Sequence, residues 1–314
     1  MLAPASPPPP ERRIARRLAA AVLAAALIAL AVGYVLLHWD DVVRGVHLHP
    51  VWLAIAAAGE ILLIASRSML LRQACRRFEV ELAPTEAVGL VCWATLANYV
   101  ATSLGGTGLR AAYLKKRHDL DLAGFLSLTS ALYALQFLLV ALAGAVATWL
   151  VPLPAETALG LRLALGTIVL LGTLLLAVPL PQPAGDGPIA ARVRRILAGW
   201  RRISGRGGAP FVLWLTLYVG VAVLTLLSYF AFAGWRLTPA EALLVASLSE
   251  LSVLIAVTPA GLGVLESAVG LGAGLVGAPV ALGLTVAGIR RLTGTLLAAL
   301  LAALLAPWRS DPAP

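Results

Sequence analysis

The stretch LGGTGLRAAYLKKRH, residues 104–118, follows an apolar segment. Its first half contains three glycines and an arginine, and it ends in a cluster of basic residues. Basic residues also precede that apolar segment, which covers residues 85–104. Lys and Arg favour the cytoplasmic side of a membrane, so both ends are expected on that side. The segment must then enter the bilayer and turn back, and glycine permits a tight reversal at residues 104–108. The returning arm, residues 109–118, is about 15 Å long, half the thickness of the hydrocarbon core.

The composition of the whole chain indicates a bilayer environment. Of the 314 residues, 60% are hydrophobic and 12% are charged, whereas a soluble domain carries about 25% charged residues. Basic cytoplasmic loops explain the formal net charge of +9, so no nucleic-acid partner is expected. The two cysteines, Cys75 and Cys92, and the four histidines show no metal-ligand spacing. We therefore expect neither a metal nor a cofactor.

Six uninterrupted apolar stretches are long enough to cross a bilayer core, which takes about 20 residues of α-helix. They are residues 18–37, 51–71, 122–151, 159–180, 211–233 and 280–306. Residues 1–17 are rich in proline and arginine and are predicted to be a disordered basic N-terminus. The sequence therefore predicts an all-α polytopic membrane protein with six full spans.

Lysine and arginine are distributed unevenly among the connections. Eighteen of the 24 lie at the N-terminus, in three of the connections or in the C-terminal tail, and the largest group is in the loop 181–210. The opposite connections hold Arg44, Arg162 and Arg236. The positive-inside rule therefore predicts a multi-pass protein of the inner, cytoplasmic membrane with both termini in the cytoplasm.

A second broken segment covers residues 241–277 and turns at Pro259-Ala260-Gly261-Leu262-Gly263. It enters from the side opposite to the first segment. Non-helical backbone at membrane depth is tolerated only where protein or a water-filled cavity surrounds it. We therefore predict two re-entrant helical hairpins whose tips line a cavity.

The two halves of the chain align at a constant offset of 155 residues. The matched identities are Pro84 with Pro239, Glu86 with Glu241, Ala87 with Ala242, Gly106 with Gly261 and Gly108 with Gly263. Each half holds two spans, a hairpin and a third span, and an odd number of crossings inverts the second half relative to the first. We predict a first repeat over residues 18–157, a second, inverted repeat over residues 158–306 that contains the basic loop, and a tail over residues 307–314.

A pattern of motifs runs through both halves. It comprises Asn98, the run Leu104-Gly105-Gly106-Thr107-Gly108-Leu109-Arg110, the run Thr258-Pro259-Ala260-Gly261-Leu262-Gly263-Val264-Leu265-Glu266 and an arginine in the last span. Over residues 15–306 this pattern resembles the lysylphosphatidylglycerol synthase transmembrane region, also called the flippase-like membrane family. The resemblance implies a protein that moves or handles lipids, including aminoacylated phosphatidylglycerol, and a possible place in a hopanoid or glycolipid pathway.

The chain departs from this family pattern in two respects. The run Tyr133-Ala134-Leu135-Gln136 stands where the resemblance implies a charged pair in the third span. No aminoacyl-transferase domain follows residue 314, so lysyl transfer is not expected on this chain.

Ionisable residues inside a bilayer cost about 2.5–3.5 kcal/mol each on insertion scales, so each of them requires a reason. Arg110 lies at a half-helix N-terminus, where free amides attract anions. It is either a lipid-phosphate ligand or an ion-pair partner of Glu266. Arg290 and Arg291 lie near mid-depth and about 100° apart on the last span, so one is expected to bind phosphate while the other pairs or extends to an interface. The predicted substrate site is completed by the tip glycines Gly106, Gly108, Gly261 and Gly263.

Four further polar residues are secondary candidates. Glu250 either carries a coupling proton or hydrogen bonds with an arginine. Glu60 lies deeper than Arg67 on one face of the second span, and Arg67 is expected to extend toward the cytoplasmic headgroups. Asn98 and Gln136 are either ligands or hydrogen-bonding contacts between helices.

No combination of residues typical of a catalytic centre occurs, and the glycine run at residues 105–108 lacks the Lys-Ser/Thr of a nucleotide-binding loop. We therefore expect a transbilayer lipid transporter of the flippase type and not an enzyme, with an amphiphile that has a polar, anionic headgroup as its substrate. Membrane lipids are the expected partners. One alternative is an accessory scaffold that binds the enzymes of a lipid- or glycan-biosynthesis complex. Another is an integral-membrane transferase.

Overall fold

The computed structural model describes residues 49–100, 104–177, 187–204, 209–255 and 258–305. Within these ranges the chain forms α-helices and two short 3-10 turns, and no strand. The helices are α1 (Pro50–Arg76), α2 (Pro84–Val100), α3 (Leu104–His118), α4 (Leu122–Leu150), α5 (Ala155–Ala177), α6 (Pro188–Ser204), α7 (Ala209–Phe232), α8 (Pro239–Leu251), α9 (Val264–Leu275) and α10 (Val280–Leu304). The 3-10 turns cover Ser252–Ile255 and Pro259–Gly261.

Five of these helices, α1, α4, α5, α7 and α10, are long and apolar enough to cross a membrane. They coincide with five of the six predicted spans. The sixth, residues 18–37, lies outside the described residues, as do the predicted disordered N-terminus and the tail. Large apolar side chains such as Leu163, Leu170 and Leu171 on α5 are exposed, as lipid-facing residues of a membrane protein are.

Helix packing links the two halves of the chain. Helices α1 and α7, which match at the 155-residue offset, pack against each other. Helix α2 packs on α1, α3 and α10, while α8 packs on α7, α9 and α4. The first helix of each broken segment therefore lies against the last helix of the other half. Of the clusters of buried apolar side chains among the described residues, the two largest lie around α1, α2, α3 and the start of α4 and around α7, α8, α9 and α10.

The starts of α2 and α8 repeat one local structure at the offset of 155 residues. Each helix begins at a proline, a residue that suits the first helical turn because its missing N–H would have no partner there. The Ala83 N–H donates to a carboxylate oxygen of Glu86 at 3.2 Å. At the matching positions the Thr238 N–H donates to Glu241 at 2.7 Å, and the Thr238 hydroxyl accepts from the Glu241 N–H. Each carboxylate thereby caps its own helix.

The glycines of the first broken segment lie in a helix and not in a turn. Helix α3 begins at Leu104 and has 15 residues, so the glycines lie inside its first turns and the prediction of a tip at residues 104–108 is wrong. The role of Gly106 is close packing instead of reversal. A Cβ atom at Gly106 would lie 2.2 Å from the carbonyl oxygen of Ala94 on α2. A glycine at this position therefore allows α2 and α3 to approach each other.

Part of the predicted basic loop, residues 181–210, is the amphipathic helix α6, which packs on α4. The side chain of Ile203 is buried, and Gly199 lies against Ser127 at the start of α4. The guanidinium of Arg195 pairs with Asp121 at 3.2 Å across an exposed surface. The apolar face of α6 thus attaches the helix to α4 and leaves arginines on its outer face.

Candidate functional site: a polar cavity between the two halves

A cavity of about 240 Å³ lies between α1, α2, α3, α4, α7 and the end of α8. Its lining combines charged and amide side chains with hydroxyl, aromatic and aliphatic ones. The lining residues are Arg67, Leu70, Leu71, Val91, Thr95, Asn98, Arg110, Phe125, Leu128, Thr129, Leu132, Tyr133, Gln136, Phe137, Leu215, Glu250 and Val253. Four of the residues predicted from sequence, Asn98, Arg110, Gln136 and Glu250, therefore line one space.

Helix α4 forms the longest wall of this cavity. Its lining residues recur with helical spacing from Phe125 to Phe137, which corresponds to about 18 Å along the helix axis. The rings of Tyr133 and Phe137 stack with a centroid distance of 5.8 Å. The cavity is therefore elongated along α4, with an apolar end near Phe125 and a polar end at Gln136.

Arg110 lies in the second turn of α3 and reaches the cavity. Its Nε atom lies 3.4 Å from the carbonyl oxygen of Gly106 in its own helix. No carboxylate within the described ranges lies at ion-pair distance from this guanidinium. Asn98 lies beside it and accepts a hydrogen bond from the Gly106 N–H at 2.7 Å. Asn98 thus lines the cavity and also connects α2 to the N-terminus of α3.

Glu250 is the carboxylate of the cavity, and donors surround it. Its Oε2 atom accepts hydrogen bonds from the Tyr218 hydroxyl at 2.7 Å and from the Gln136 amide at 3.3 Å. Its Oε1 atom lies 3.9 Å from Arg67 and 3.8 Å from Arg290. A buried carboxylate requires such compensation, because an unpaired charge in a low-dielectric interior is costly.

Two arginines near Glu250 form further contacts: Arg67 lines the cavity, and Arg290 lies behind its lining. Arg290 pairs with Glu60 at 3.2 Å. Arg67 donates to the Tyr218 hydroxyl at 2.7 Å, and its guanidinium lies over the Tyr218 ring at 5.3 Å. Tyr218 and Glu250 are therefore the contacts of Arg67, although 45% of its side chain stays exposed, and its extension toward the cytoplasmic headgroups stays a prediction. The two guanidiniums balance the charges of Glu60 and Glu250.

The tip of the second broken segment forms a separate polar cluster. Ala260, Gly261 and Gly263 have φ values of 50°, 64° and 81°, a left-handed conformation that suits glycine. Arg291 of α10 donates to the carbonyl oxygens of Ala260 and Gly261 at 3.0 and 3.3 Å. It also pairs with Glu266.

Glu266 itself accepts a hydrogen bond from the Gly263 N–H at 2.8 Å and so caps α9. Glu266 therefore pairs with Arg291 and not with Arg110. The other side of this cluster touches the end of α2, where the Tyr99 ring lies 5.9 Å from the Arg291 guanidinium. The tip of the second segment thus meets the first segment through Arg291.

Among the described residues no group of three or more His, Cys, Asp and Glu side chains lies close enough together to hold a metal ion. The family model for the lysylphosphatidylglycerol synthase transmembrane region matches residues 17–302. The chain belongs to this family. A comparison with curated proteins finds no match.

The structure divides the predicted site residues of this member of the transmembrane-region family among three places. Asn98, Arg110, Gln136 and Glu250 line the cavity, whereas Glu60 and Arg290 lie behind it. Gly261, Gly263, Glu266 and Arg291 form the second-tip cluster, and Gly106 packs between α2 and α3. A Cβ atom at Gly108 would meet open space.

Sequence reasoning missed Arg67, Tyr218 and Tyr133 as parts of the polar site. Arg67 lies nine residues before the end of α1, about 14 Å from it. An arginine at this depth is expected to pair with a group inside the protein, and the sequence position of Arg67 could therefore have identified it. Tyr218 carries no such signal, because tyrosine is common in apolar spans.

Proposed function

We propose that this protein moves a lipid with an anionic headgroup between the two leaflets of a membrane, and that the headgroup enters the cavity with its phosphate against Arg110. One observation carries the proposal. Arg110 faces the cavity with no carboxylate at ion-pair distance in the described parts of the chain, while Arg67, Arg290 and Arg291 each lie within 4 Å of one.

A guanidinium that faces a cavity and has no carboxylate partner among the described residues favours an incoming anion. Arginine presents several N–H donors in a planar fork that matches phosphate oxygens, and such charge-assisted bonds are about twice as strong as neutral ones. The Thr95, Thr129 and Tyr133 side chains line the same space. They would offer neutral hydrogen bonds to the rest of a polar headgroup, while the acyl chains stay in lipid.

The architecture that fits this function is six full spans and two re-entrant hairpins arranged as an inverted repeat. The reciprocal packing of α2 on α10 and of α8 on α4 supports it, because a two-fold axis in the membrane plane would exchange these pairs. The repeated helix caps at Glu86 and Glu241 support it as well. Moving the two units against each other would expose the site to either leaflet.

The orientation expected from the basic residues assigns the cavity to the cytoplasmic half of the inner membrane. Arg110 stands eight residues before the end of α3, about 12 Å along the helix. Gln136 stands 14 residues after the start of α4, about 21 Å. The headgroup would therefore enter from the cytoplasmic leaflet and reach mid-membrane. Transport in this form needs no covalent chemistry, and the protein is proposed not to be an enzyme.

Lipid movement in proteoliposomes tests the proposal. Acyl-labelled phosphatidylglycerol is followed by the loss of outer-leaflet fluorescence to a membrane-impermeant reductant. We expect wild-type protein to accelerate the exchange and Arg110→Ala to reduce the acceleration at least tenfold. The matched control is Lys116→Ala, which removes a charge from an exposed position on the same helix and should leave the rate unchanged. An Arg110→Ala variant that moves lipid at the wild-type rate would contradict the phosphate site.

A scaffold for lipid-biosynthesis enzymes is the second candidate. The cluster of Arg291, Glu266 and the second tip favours it, because a closed and ion-paired core is what a static membrane scaffold needs. A scaffold predicts that wild-type vesicles exchange lipid no faster than protein-free vesicles.

A further inference from the structure

The charges that line the cavity do not cancel. Arg67 and Arg110 contribute two positive charges, and Glu250 contributes one negative charge. Behind the lining, Arg290 and Glu60 pair with each other and add nothing to the sum. Among the described residues, the lining therefore carries a net charge of +1, located on the Arg110 guanidinium, which has no carboxylate at ion-pair distance.

A cationic group on a ligand would find no free carboxylate here. The Oε2 atom of Glu250 already accepts hydrogen bonds from Tyr218 and Gln136, and its Oε1 atom lies 3.9 and 3.8 Å from the guanidiniums of Arg67 and Arg290. An ammonium group would have to compete with these two guanidiniums for the negative charge of Glu250. Beside Glu250 it would also face the positive charges of Arg67 and Arg290, and like charges repel.

A phosphodiester matches the cavity in both respects. It carries one negative charge, which complements the uncompensated charge of Arg110. The amide of Asn98 and the hydroxyls of Thr129 and Tyr133 line the same space and suit hydroxyl groups on the headgroup. The volume of about 240 Å³ corresponds to roughly eight water molecules, which is room for a phosphate with a small polyol.

We infer that the cavity selects a headgroup with a single net negative charge and no ammonium group, such as a phosphodiester that bears a hydroxylated substituent. Zwitterionic lipids and aminoacylated lipids are then poor substrates, although the family takes its name from an aminoacylated lipid. This inference rests on the proposed function. The charge of Arg110 discriminates between anionic and other headgroups, and the charge of Arg67 offsets that of Glu250.

The test compares headgroups on one protein. Acyl-labelled phosphatidylglycerol, phosphatidylethanolamine and lysylphosphatidylglycerol are each reconstituted at the same low fraction in neutral phosphatidylcholine vesicles with wild-type protein. We expect phosphatidylglycerol to exchange at least tenfold faster than either of the others. Equal rates, or faster exchange of either other lipid while phosphatidylglycerol still exchanges faster than in protein-free vesicles, would overturn the inference and leave the proposed function intact. If no lipid moves, the proposed function fails and the inference fails with it.

Variants at Arg110 separate charge selection from general loss of activity. Arg110→Gln lowers the net charge of the lining to zero, so the rate ratio of phosphatidylglycerol to phosphatidylethanolamine should fall toward one. Arg110→Lys keeps the charge and should keep most of the ratio even where the absolute rate drops. Lys116→Gln is the matched control and should change neither. A ratio that stays at the wild-type value in Arg110→Gln would contradict the role of this charge.

Discussion

Arg291 of α10 and Glu266 of α9 form an ion pair, and the same guanidinium donates to the carbonyl oxygens of Ala260 and Gly261. Glu266 in turn accepts a hydrogen bond from the Gly263 N–H at the start of α9. Each side chain therefore neutralises the charge of the other and also forms hydrogen bonds with the backbone of the turn. The pair attaches the tip of the second broken segment to the last helix of the chain.

Breaking this pair from either side should destabilise the fold. Glu266→Gln and Arg291→Gln each leave an unpaired buried charge, which costs about 3–5 kcal/mol. We expect the double variant to lose clearly less than the sum of the two single losses, because removal of the second charge relieves the first. Chemical unfolding in detergent measures this coupling. Additive losses would show that the two side chains do not interact.

Gly106 and Gly108 offer a matched pair of substitutions on one helix. A Cβ atom at Gly106 would meet the Ala94 carbonyl at 2.2 Å, so Gly106→Ala must separate α2 from α3 and should cost about 1–3 kcal/mol. Gly108 faces open space, and Gly108→Ala should stabilise the helix by about 0.5–1 kcal/mol. Thermal unfolding of both variants measures these changes in stability relative to the wild type. A tolerated Gly106→Ala would contradict the close contact.

Glu86 connects the two ends of the first broken segment. Its Oε1 atom accepts from the Tyr113 hydroxyl and lies 2.7 Å from His118. Burial raises the pKa of this carboxyl, but hydrogen bonds from Tyr113, His118 and the Ala83 N–H outweigh it and hold the pKa below its usual value. A carboxyl with a lowered folded-state pKa stabilises the protein above its unfolded-state pKa, and this contribution is lost as the pH falls through the folded-state value.

The pH dependence of unfolding tests this link. We expect Glu86→Gln to lower the free energy of unfolding at neutral pH and to flatten its decline below about pH 4. The control is Glu241→Gln, the matching position on α8, where the carboxylate bonds to the Thr238 N–H. If the free energy of unfolding falls equally with pH in wild type and in Glu86→Gln, the Glu86 carboxylate does not contribute to the acid sensitivity.

Accessibility of single cysteines tests the orientation of the first broken segment. Native Cys75 and Cys92 are both buried, so introduced cysteines should react selectively. Lys116→Cys at the end of α3 should be labelled from the cytoplasmic side, and Arg236→Cys between α7 and α8 from the opposite side. Labelling of Lys116→Cys from outside alone would mean that the segment crosses the membrane.

The helical elements were predictable because length and hydropathy determine them. A stretch of about 20 apolar residues has few alternatives to a spanning helix, and the structure has such helices at five of the six predicted spans. The role of the glycines at residues 105–108 was not predictable in the same way. Glycine at residues 105–108 serves either a turn or a close helix contact, and only the location of Ala94 identifies the second role for Gly106.

The pairing of charges depends on tertiary structure in a similar way. The sequence identified Arg110, Glu266, Arg290 and Arg291 as buried ionisable groups, but their partners depend on how α9 and α10 pack. The contact between these two helices brings Arg291 to Glu266. Of the two guanidiniums that line the cavity, Arg67 lies near Glu250, and Arg110 has no carboxylate at ion-pair distance among the described residues.

The central claim is that Arg110 binds the phosphate of an anionic lipid inside the cavity. Electron cryomicroscopy of the protein in nanodiscs that contain phosphatidylglycerol tests it directly. We predict a headgroup in the cavity with a phosphate oxygen at about 2.7–3.2 Å from the Arg110 guanidinium. A cavity that holds only water or acyl chains, in a preparation that translocates phosphatidylglycerol, would contradict the claim.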